Sequence, residues 1–511
     1  MPPPAPWPKA ARRKSPPRSI NAMNYQLMSL EIVVVALGLA LLLVDLWTPA
    51  EHKRKLGYAA AAVLALVFIG SFKLSVGDAQ YAFHGMYVLD GLALFFKRFF
   101  LLAAIIVLIM AVEFADRIEA GITEYYALIV FALAGMLFSA SANDFTLLFV
   151  SLELITVTFY ILTSFQRGRL WSLEAGVKYL IIGALSSAFM VYGIALIFGT
   201  TGQMNFEKVA RMAGQFEHNK IFLFGILFML VGLGFKIAAF PVQIWAPDVY
   251  QGAPVPSTAF LAVGSKAAGF VLLLRVLFTA FPAITVQWTN IFIGLSMVTI
   301  LYGNLCAIPQ RNIKRLLGYS SIANAGYLLM GITAFSASGQ SAMLYYLGGY
   351  LFSVLGAFAV ICLVMRNVEG EDVSALAGLN QRSPLLATTL TMAMVSLAGI
   401  PPLAGFFGKF LLLKAVVEKG STNPAYYWLV AVALFGVIVS IYYYFGIVRA
   451  IYWSRDPRDL SPIKVSPPIK AAIYVCVIGM LYLGLFPNQL LRQSNVAVEN
   501  ITPKSDAVAK M

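Results

Sequence analysis

The chain has 511 residues, of which 60% are hydrophobic and only 12% are charged, and it carries a net charge of +14. A soluble domain has about 45–50% apolar and about 25% charged residues, so this composition excludes the soluble, disordered and disulfide-scaffold classes of protein. What remains is a polytopic membrane protein with one membrane domain.

Residues 1–22 are rich in proline and basic side chains and contain no acidic ones. Such a composition is typical of a disordered segment. The first apolar run that follows is too long for a secretory signal and has no cleavage pattern of small residues. We therefore interpret residues 1–22 as a disordered basic leader, after which Met23 opens a sequence that resembles an ordinary N-terminus.

Apolar runs that could cross a bilayer occupy most of the chain between residues 26 and 490. Because a spanning helix needs about 20 apolar residues, these runs predict an all-α fold with about 14 transmembrane helices. The predicted segments are 26–48, 57–75, 88–112, 123–140, 144–164, 170–199, 220–240, 255–281, 285–307, 313–334, 338–366, 385–418, 424–453 and 468–490.

The basic residues of the loops predict the orientation of the chain. An even number of segments places both termini on the same side of the membrane. If that side is the outside, the inner loops hold most of the Lys and Arg residues, in agreement with the positive-inside rule. The basic leader would then lie on the wrong side, which favours Met23 as the true start. The inner basic residues are Lys53, Arg54, Lys55, Arg117, Arg167, Arg169, Arg311, Lys314, Arg315, Arg366, Arg382, Arg449, Arg455, Arg458, Lys464 and Lys470.

Similar features recur along the chain at intervals of about 160–166 residues: YLIIG at 179–183 with YYLGG at 345–349, and Pro241 with Pro401-Pro402. Interrupted helices in matching positions are typical of inverted-repeat transporters, and an odd number of helices per unit inverts the second copy. We therefore predict two inverted five-helix repeats with broken helices 7 and 12. The alternative is that Pro and Gly are simply common in membrane helices.

The predicted organisation has five parts, and four prolines are expected to interrupt helices. The parts are the leader (1–22), helices 1–3 (23–122), the first repeat with helices 4–8 (123–281), the second repeat with helices 9–13 (282–453), and the last helix with the C-terminal tail (454–511). The prolines are Pro241, Pro247, Pro401 and Pro402.

Residue types that bind metals or nucleotides lack the spacing that such sites require. Cys306, Cys362 and Cys476 lie far apart in apolar runs, and the three histidines are scattered. Zinc and iron–sulfur sites therefore lack ligands. The chain has no phosphate-binding loop motif, and the GLG at 232–234 lies inside an apolar helix. We expect no cofactor in this chain and no redox or nucleotide chemistry of its own.

Four charged residues lie far inside predicted membrane helices, namely Glu153, Lys236, Lys266 and Lys409. A charge at mid-membrane costs roughly 2.5–3.5 kcal/mol on insertion scales, and packing alone does not require these four. The three lysines lie close to prolines, where freed backbone carbonyls and water can accompany a charge. Charges that are costly and unnecessary for packing indicate a function.

The chemistry of these four residues suggests a proton relay. Burial favours the neutral form of a lysine, whereas a nearby carboxylate favours the charged form. A Glu153–Lys236 pair whose separation changes would therefore hold a proton when close and release it to Lys266 when apart. The alternatives are a static ion pair for Glu153 and snorkelling of the ammonium groups to the interface for the lysines.

Other polar residues are weaker candidates for the relay. Lys178 and Glu174 lie one turn apart near the start of segment 6 and fit an interfacial i,i+4 pair better. Asp90 is expected at the interface. The polar residues of segment 10 fit a water path and interhelical hydrogen bonds equally well. They are Ser320, Ser321, Asn324 and Tyr327.

Three stretches resemble a known family: 235–270 (FKIAAFPVQIWAPDVYQGAPVPSTAFLAVGSKAAGF), 312–331 (NIKRLLGYSSIANAGYLLMG) and 399–410 (GIPPLAGFFGKF). They are similar to the subunit N family of proton-pumping NADH:quinone oxidoreductase, respiratory complex I, whose mitochondrial and chloroplast counterpart is subunit 2. The resemblance extends over about residues 25–490. The run PDVYQGAP at 247–254 distinguishes this family from its antiporter-like relatives.

The resemblance implies a proton-translocating, antiporter-like membrane subunit of a translocase. Glu153 matches the family's helix 5 glutamate and Lys236 its helix 7 lysine. Lys266 matches the central helix 8 lysine, and Lys409 the helix 12 lysine on the route to the outside. The chain departs from many relatives at Gln243, and from some at Asn324, where they carry His; this puts in doubt any role for imidazole there.

The resemblance also implies partners and a location. Partner subunits would hold FMN, the iron–sulfur clusters and the quinone, while other antiporter-like and small membrane subunits would lie beside this chain. The protein would reside in a bacterial inner membrane with both termini on the periplasmic side. Two alternatives remain: a subunit of a multisubunit sodium/proton antiporter or membrane-bound hydrogenase, against which the VYQGAP stretch argues, and a passive scaffold.

Overall fold

The computed structural model describes residues 23–74, 77–368, 370–453 and 460–499. The predicted leader lies outside the described residues, as do Arg455, Arg458 and the end of the tail. The described chain is predominantly helical. It includes one small antiparallel hairpin, in which β1 (Gln80–Ala82) pairs with β2 (Tyr87–Leu89) and Tyr81 lies opposite Val88.

The N-terminal helices pack in neighbouring pairs, α2 against α3 and α4 against α5, and α1 packs against α4. Asp90 and Asp144 cap the starts of α3 and α5 by accepting hydrogen bonds from backbone amides at 2.8 and 2.7 Å. These helices are α1 (Ser29–Asp45), α2 (Ala50–Ser71), α3 (Gly91–Glu113), α4 (Ile122–Ala140), α5 (Phe145–Thr163), α6 (Leu170–Thr201) and the short α7 (Phe206–Ala213).

The middle of the chain supplies the centre of the molecule. A π-helical turn, Leu261–Ser265, joins α10 to α11, and the helical run that they form is buried on all sides. Being apolar all round, such a helix has to lie inside a bundle. These helices are α8 (Lys220–Ile237), α9 (Trp245–Gly252), α10 (Val255–Phe260), α11 (Lys266–Arg275), α12 (Pro282–Gln287), α13 (Thr289–Ala307), α14 (Ile313–Thr333) and α15 (Ala337–Asn367).

The C-terminal helices surround α15, which is almost entirely buried. Helices α17, α18, α20 and α21 all contact it. Their bounds complete the fold: α16 (Leu379–Arg382), α17 (Pro384–Ala398), α18 (Ala404–Val417), α19 (Ala425–Trp453), α20 (Pro467–Leu485) and α21 (Pro487–Val498).

Twelve helices of the described residues are long and apolar enough to cross a membrane. Two of the 14 predicted segments are not among the twelve. Segment 313–334 corresponds to α14, which is more polar because of its serines and Asn324, and segment 385–418 is divided between the shorter helices α17 and α18. The total of 14 therefore stays a prediction.

The chain leaves the helical conformation after α8 and again after α17. Ala238 and Gly399 adopt left-handed conformations, with φ of 56° and 84°. Each ends its helix with the same two backbone hydrogen bonds, from Ala239 to Gly234 and from Ala238 to Phe235 in the first case. In the second case they run from Ile400 to Val395 and from Gly399 to Ser396.

The predicted prolines fall at different places relative to these interruptions. Pro241 lies between α8 and α9, and Pro401 and Pro402 lie between α17 and α18. The prediction for Pro247 is wrong, because this residue lies in the first turn of α9. Proline is tolerated there since the first amides of a helix have no partner within the helix.

Candidate functional site

Glu153 lies on α5 and Lys236 contacts α5, but the two side chains do not contact each other. Ser187 Oγ of α6 donates a hydrogen bond to Glu153 Oε1 at 2.5 Å. Lys236 Nζ, on the last turn of α8, donates to Thr156 Oγ1. Thr156 is three residues from Glu153 on α5, so the two share one helix face. No ion pair joins Glu153 to Lys236 among the described contacts.

Lys236 lies beside the helix that begins with Lys266. Helix α11 packs directly on α8, and Gly269 provides the space for this approach. A Cβ atom at Gly269 would lie 3.1 Å from the Cβ of Lys236 and 2.8 Å from the side chain of Ile237. The end of α8, where the chain leaves the helical conformation, and the central Lys266 of α11 thus lie on adjoining helices.

Lys266 is 2% exposed and is bound through one serine of α14. Its Nζ donates to the carbonyl oxygen of Ser321 at 2.6 Å and also to Ser321 Oγ. Tyr350 OH of α15 donates to the same Oγ at 3.0 Å, and Tyr250 OH of α9 is hydrogen-bonded to it at 3.0 Å. Since a hydroxyl accepts at most two hydrogen bonds, Ser321 donates its own proton to Tyr250.

A second polar cluster begins at the residue before Ser321. Ser320 Oγ is hydrogen-bonded to Tyr444 OH of α19 at 2.5 Å. Asn324 accepts from Tyr346 OH of α15 at 2.6 Å and donates to Ser320 Oγ at 3.4 Å. Ser320 and Asn324 therefore make interhelical hydrogen bonds, and these connect α14 to α15 and α19.

Lys409 is 4% exposed and lies beside the second interruption. Its Nζ donates to the carbonyl oxygens of Leu397 and Ala398, at the end of α17, at 2.8 and 3.2 Å. The last carbonyls of a helix lack partners within it and carry partial negative charge, which favours an ammonium there. The Nζ also lies 4.8 Å from the ring centre of Tyr327, whose hydroxyl donates to the Ala433 carbonyl at 2.9 Å.

A cavity of about 10 Å³ lies between the Lys266 and Lys409 regions. Tyr250 and Tyr350, which contact Ser321, line it together with Ser320 and Leu397. A cavity of roughly 10–15 Å³ is the smallest that holds one water molecule. Six of its nine lining residues are apolar, and the hydroxyl-bearing Tyr250, Ser320 and Tyr350 are the groups that could bind such a water.

Lys178 belongs to a charged network at the start of α9. It forms the expected i,i+4 ion pair with Glu174 at 2.7 Å, and a second one with Asp248 at 2.8 Å. Arg315, in the first turn of α14, also pairs with Asp248. Burial would raise the pKa of Asp248, but the hydrogen bonds from Lys178 and Arg315 outweigh it and hold the pKa below its usual range. Asp248 is therefore ionised at neutral pH.

Other buried charges were missing from the prediction. Lys97 and Glu31 form a fully buried ion pair at 2.7 Å, and both bond to Tyr87 OH. Asp90 lies at the start of α3, as expected for an interfacial residue, yet it is buried against Arg275 at 2.8 Å. Lys97 in the apolar run FFKRFF at 95–100 was an available signal for the first pair, but the sequence analysis did not single it out.

The remaining predicted positions are simpler. Gln243 is buried between α8 and α9, and its Oε1 has no hydrogen-bond partner among the described atoms. Cys306, Cys362 and Cys476 are free thiols. Within the described ranges, no group of three or more His, Cys, Asp or Glu side chains could hold a metal ion.

The chain is similar to several known proteins. A family model described as "NADH:quinone oxidoreductase/Mrp antiporter, TM" matches residues 142–440. NADH-quinone oxidoreductase subunit N of Moorella thermoacetica is 40% identical over 481 residues, which cover 94% of this chain and 100% of that protein. A chain of respiratory complex I from Thermus thermophilus with bound aureothin is 32% identical with a TM-score of 0.75, and the match covers 91% of this chain and 98% of that one.

A more distant protein shares the fold. A chain of the Mrp complex from a Dietzia species superposes with a TM-score of 0.81 at 20% identity, over 95% of this chain and 99% of that one. At that identity the likeness concerns the arrangement of the helices alone.

Proposed function

We propose that this chain, which belongs to the subunit N family of NADH-quinone oxidoreductase, carries protons through a relay of charged side chains within the helix bundle. Members of this family are antiporter-like membrane subunits of respiratory complex I, which is a translocase. In the relay, Glu153 and Lys236 control the proton, Lys266 receives it, and Lys409 passes it towards the outside.

The observation that carries this proposal is the cavity between Lys266 and Lys409. Lys266 is hydrogen-bonded to Ser321, whose tyrosine partners line the cavity, and Leu397, also in its lining, provides a carbonyl to Lys409. A water in the cavity would lie between the tyrosine partners of Ser321 and the residue that binds Lys409. Ser320 and Asn324 lie beside this interval and belong to the relay as secondary members, as does Tyr327 beneath Lys409.

The arrangement around Glu153 supports the proposed switch. Lys236 bonds to neutral Thr156, while Glu153 bonds to Ser187. This corresponds to the separated arrangement, in which the lysine has lost the carboxylate that favours its charged form. A small movement of α8 along α5 would exchange Thr156 for Glu153, since the two lie one turn apart.

The inverted repeats and the orientation belong to the same proposal. The identical hydrogen bonds that end α8 and α17 support two related units with helices interrupted at equivalent points. The excess of basic residues in the predicted inner loops supports outward-facing termini. FMN, iron–sulfur clusters and quinone would lie in partner subunits of the complex.

Alanine substitution tests the relay in membrane vesicles that hold the assembled complex. Lys266→Ala, Lys236→Ala and Glu153→Ala should each lower NADH-driven proton uptake and quinone reduction together, by at least about ten-fold, because a positioned proton-transfer group typically contributes that much or more. The exposed Lys208→Ala should match the unchanged protein. A Lys266→Ala complex that assembles fully and pumps with normal stoichiometry would refute the relay.

A further inference from the structure

Helix α9 is held by charges on two sides. Asp248 accepts from Lys178 of α6 at 2.8 Å and also from Arg315 of α14. Arg315 additionally donates to Gln251, on the next turn of α9, at 3.2 Å. A helix of eight residues is too short to be stable by itself, so its position depends on such contacts.

Glycines allow α9 to lie directly on both neighbouring helices. A Cβ atom at Gly318 of α14 would lie 3.1 Å from the Cα of Pro247 and 3.4 Å from the Cβ of Tyr250. A Cβ atom at Gly252 of α9 would lie 2.3 Å from the carbonyl oxygen of Trp171 of α6. With backbones this close, a change in the ion pairs at Asp248 is transmitted to the whole of α9.

The other side of α9 reaches the central lysine. Tyr250, two residues after Asp248, is 1% exposed, and its hydroxyl is hydrogen-bonded to Ser321 Oγ at 3.0 Å. Ser321 in turn accepts from Lys266. Arg315 and Ser321 are both on α14, about 9 Å apart at a rise of about 1.5 Å per residue. Helices α9 and α14 are therefore joined at two places, by the Asp248–Arg315 ion pair and by the hydrogen bond between Tyr250 and Ser321.

We propose that Asp248 is a positioning residue for the central lysine. By binding Lys178 and Arg315 together, it holds α9 so that the Tyr250 hydroxyl stays on Ser321 and keeps the hydrogen bonds of Lys266 complete. Asp248 does not itself exchange protons with Lys266. The proposal rests on the relay described above, because positioning matters only if Lys266 carries protons.

The test uses vesicles with the assembled complex and compares single and double variants. Asp248→Asn and Tyr250→Phe should each lower NADH-driven proton uptake about three-fold or more, and the double variant should lie within about two-fold of the slower single one, because residues that act in one chain of contacts are not additive. Asp248→Glu keeps the negative charge that binds Lys178 and Arg315, so it should recover at least about half of the rate.

Three further variants keep the outcome decisive. Glu174→Gln removes the other partner of Lys178 and keeps both ion pairs of Asp248, so it should leave the rate unchanged. Arg315→Gln removes the same ion pair from α14 and replaces Asp248→Asn if that variant does not assemble. Lys266→Ala separates the two proposals: if it pumps normally the relay fails, and if it is inactive while Asp248→Asn is normal only the positioning role fails. The positioning role is also overturned if the losses of proton uptake in Asp248→Asn and Tyr250→Phe multiply in the double variant, or if Tyr250→Phe takes up protons at the normal rate.

Discussion

The buried charged residues are of two kinds, which differ in their partners. Lys97 and Arg275 pair with carboxylates, whereas the described contacts of Lys236, Lys266 and Lys409 are hydroxyls, carbonyls and aromatic rings. An ammonium with neutral partners can give up its proton without leaving an opposite charge unpaired. One in a buried ion pair cannot, because the remaining carboxylate would be strongly destabilised. The partners thus separate residues suited to proton transfer from those suited to holding helices together.

The Lys97–Glu31 pair provides a stability prediction. Lys97→Ala leaves a fully buried carboxylate without its cation, so the folded protein should lose about 3–5 kcal/mol. The double variant Glu31→Leu/Lys97→Met should recover most of that loss, since it replaces the pair by apolar groups of similar size. Thermal unfolding of the purified protein in detergent, followed by size-exclusion chromatography, measures both, with exposed Lys55→Ala as control. A double variant as unstable as the single one would contradict the assignment.

Among individual residues, the sequence singled out four charges in apolar runs, but it missed the Lys97–Glu31 pair and Arg275 and did not reveal the hydrogen-bond partners. Glu153, Lys236, Lys266 and Lys409 stand out because a charge in an apolar run is costly wherever the helix packs. The bonding of Ser321 to Lys266, Tyr250 and Tyr350 depends on how α9, α11, α14 and α15 meet. No spacing along one helix reveals such a meeting point.

Among the helices, α13 and α14 approach each other closely beside the proposed relay. A Cβ atom at Gly303 would lie 2.3 Å from the backbone nitrogen of Ala323, two residues after Ser321. Backbone cannot rotate away as a side chain can, so any side chain at this position has to separate the two helices. The interruptions between α8 and α9 and between α17 and α18 could be predicted from Pro241 and Pro401, because proline cannot continue a helix. Pro247 does not interrupt a helix because it lies in the first turn of α9.

Gly303→Ala tests whether helix separation disturbs the relay. The substitution should destabilise the protein by about 1–3 kcal/mol, as overpacking generally does, and should slow proton uptake because α14 carries Ser320, Ser321 and Asn324. Gly294→Ala, on the same helix, meets open space and should not destabilise the protein, since alanine is the better helix former. Melting temperature and vesicle pumping measure the two effects. Equal behaviour of the two glycine variants would contradict the packing argument.

Over the whole molecule, the ends of the helices form two opposite faces. Gly91, at the start of α3, lies against Ala497 near the end of α21. Glu113, at the other end of α3, pairs with Arg366 at the end of α15 at 3.0 Å. In the proposed orientation the first face is outside and the second inside. Residues 1–22 lie outside the described residues, so they add nothing to this assignment of the two faces.

Cysteine labelling tests the orientation. In a Cys306→Ser background, Glu499→Cys should react with a membrane-impermeant maleimide added to the outside of intact cells, because the C-terminal end is predicted outside. Lys55→Cys, in the first predicted inner loop, should react only after the membrane is opened. The reverse pattern would invert the topology and with it the inlet and outlet of the relay.

In the proposed relay, the cavity lined by Ser320 and Leu397 would also limit leakage of other cations. With room for about one water, it allows a proton to pass by reorientation of hydrogen bonds. A sodium ion would need several oxygen ligands or its own hydration shell, for which this space is too small. In the proposed relay, the narrowness that would make the path depend on a single water would therefore also keep the much more abundant metal cations from short-circuiting the membrane potential.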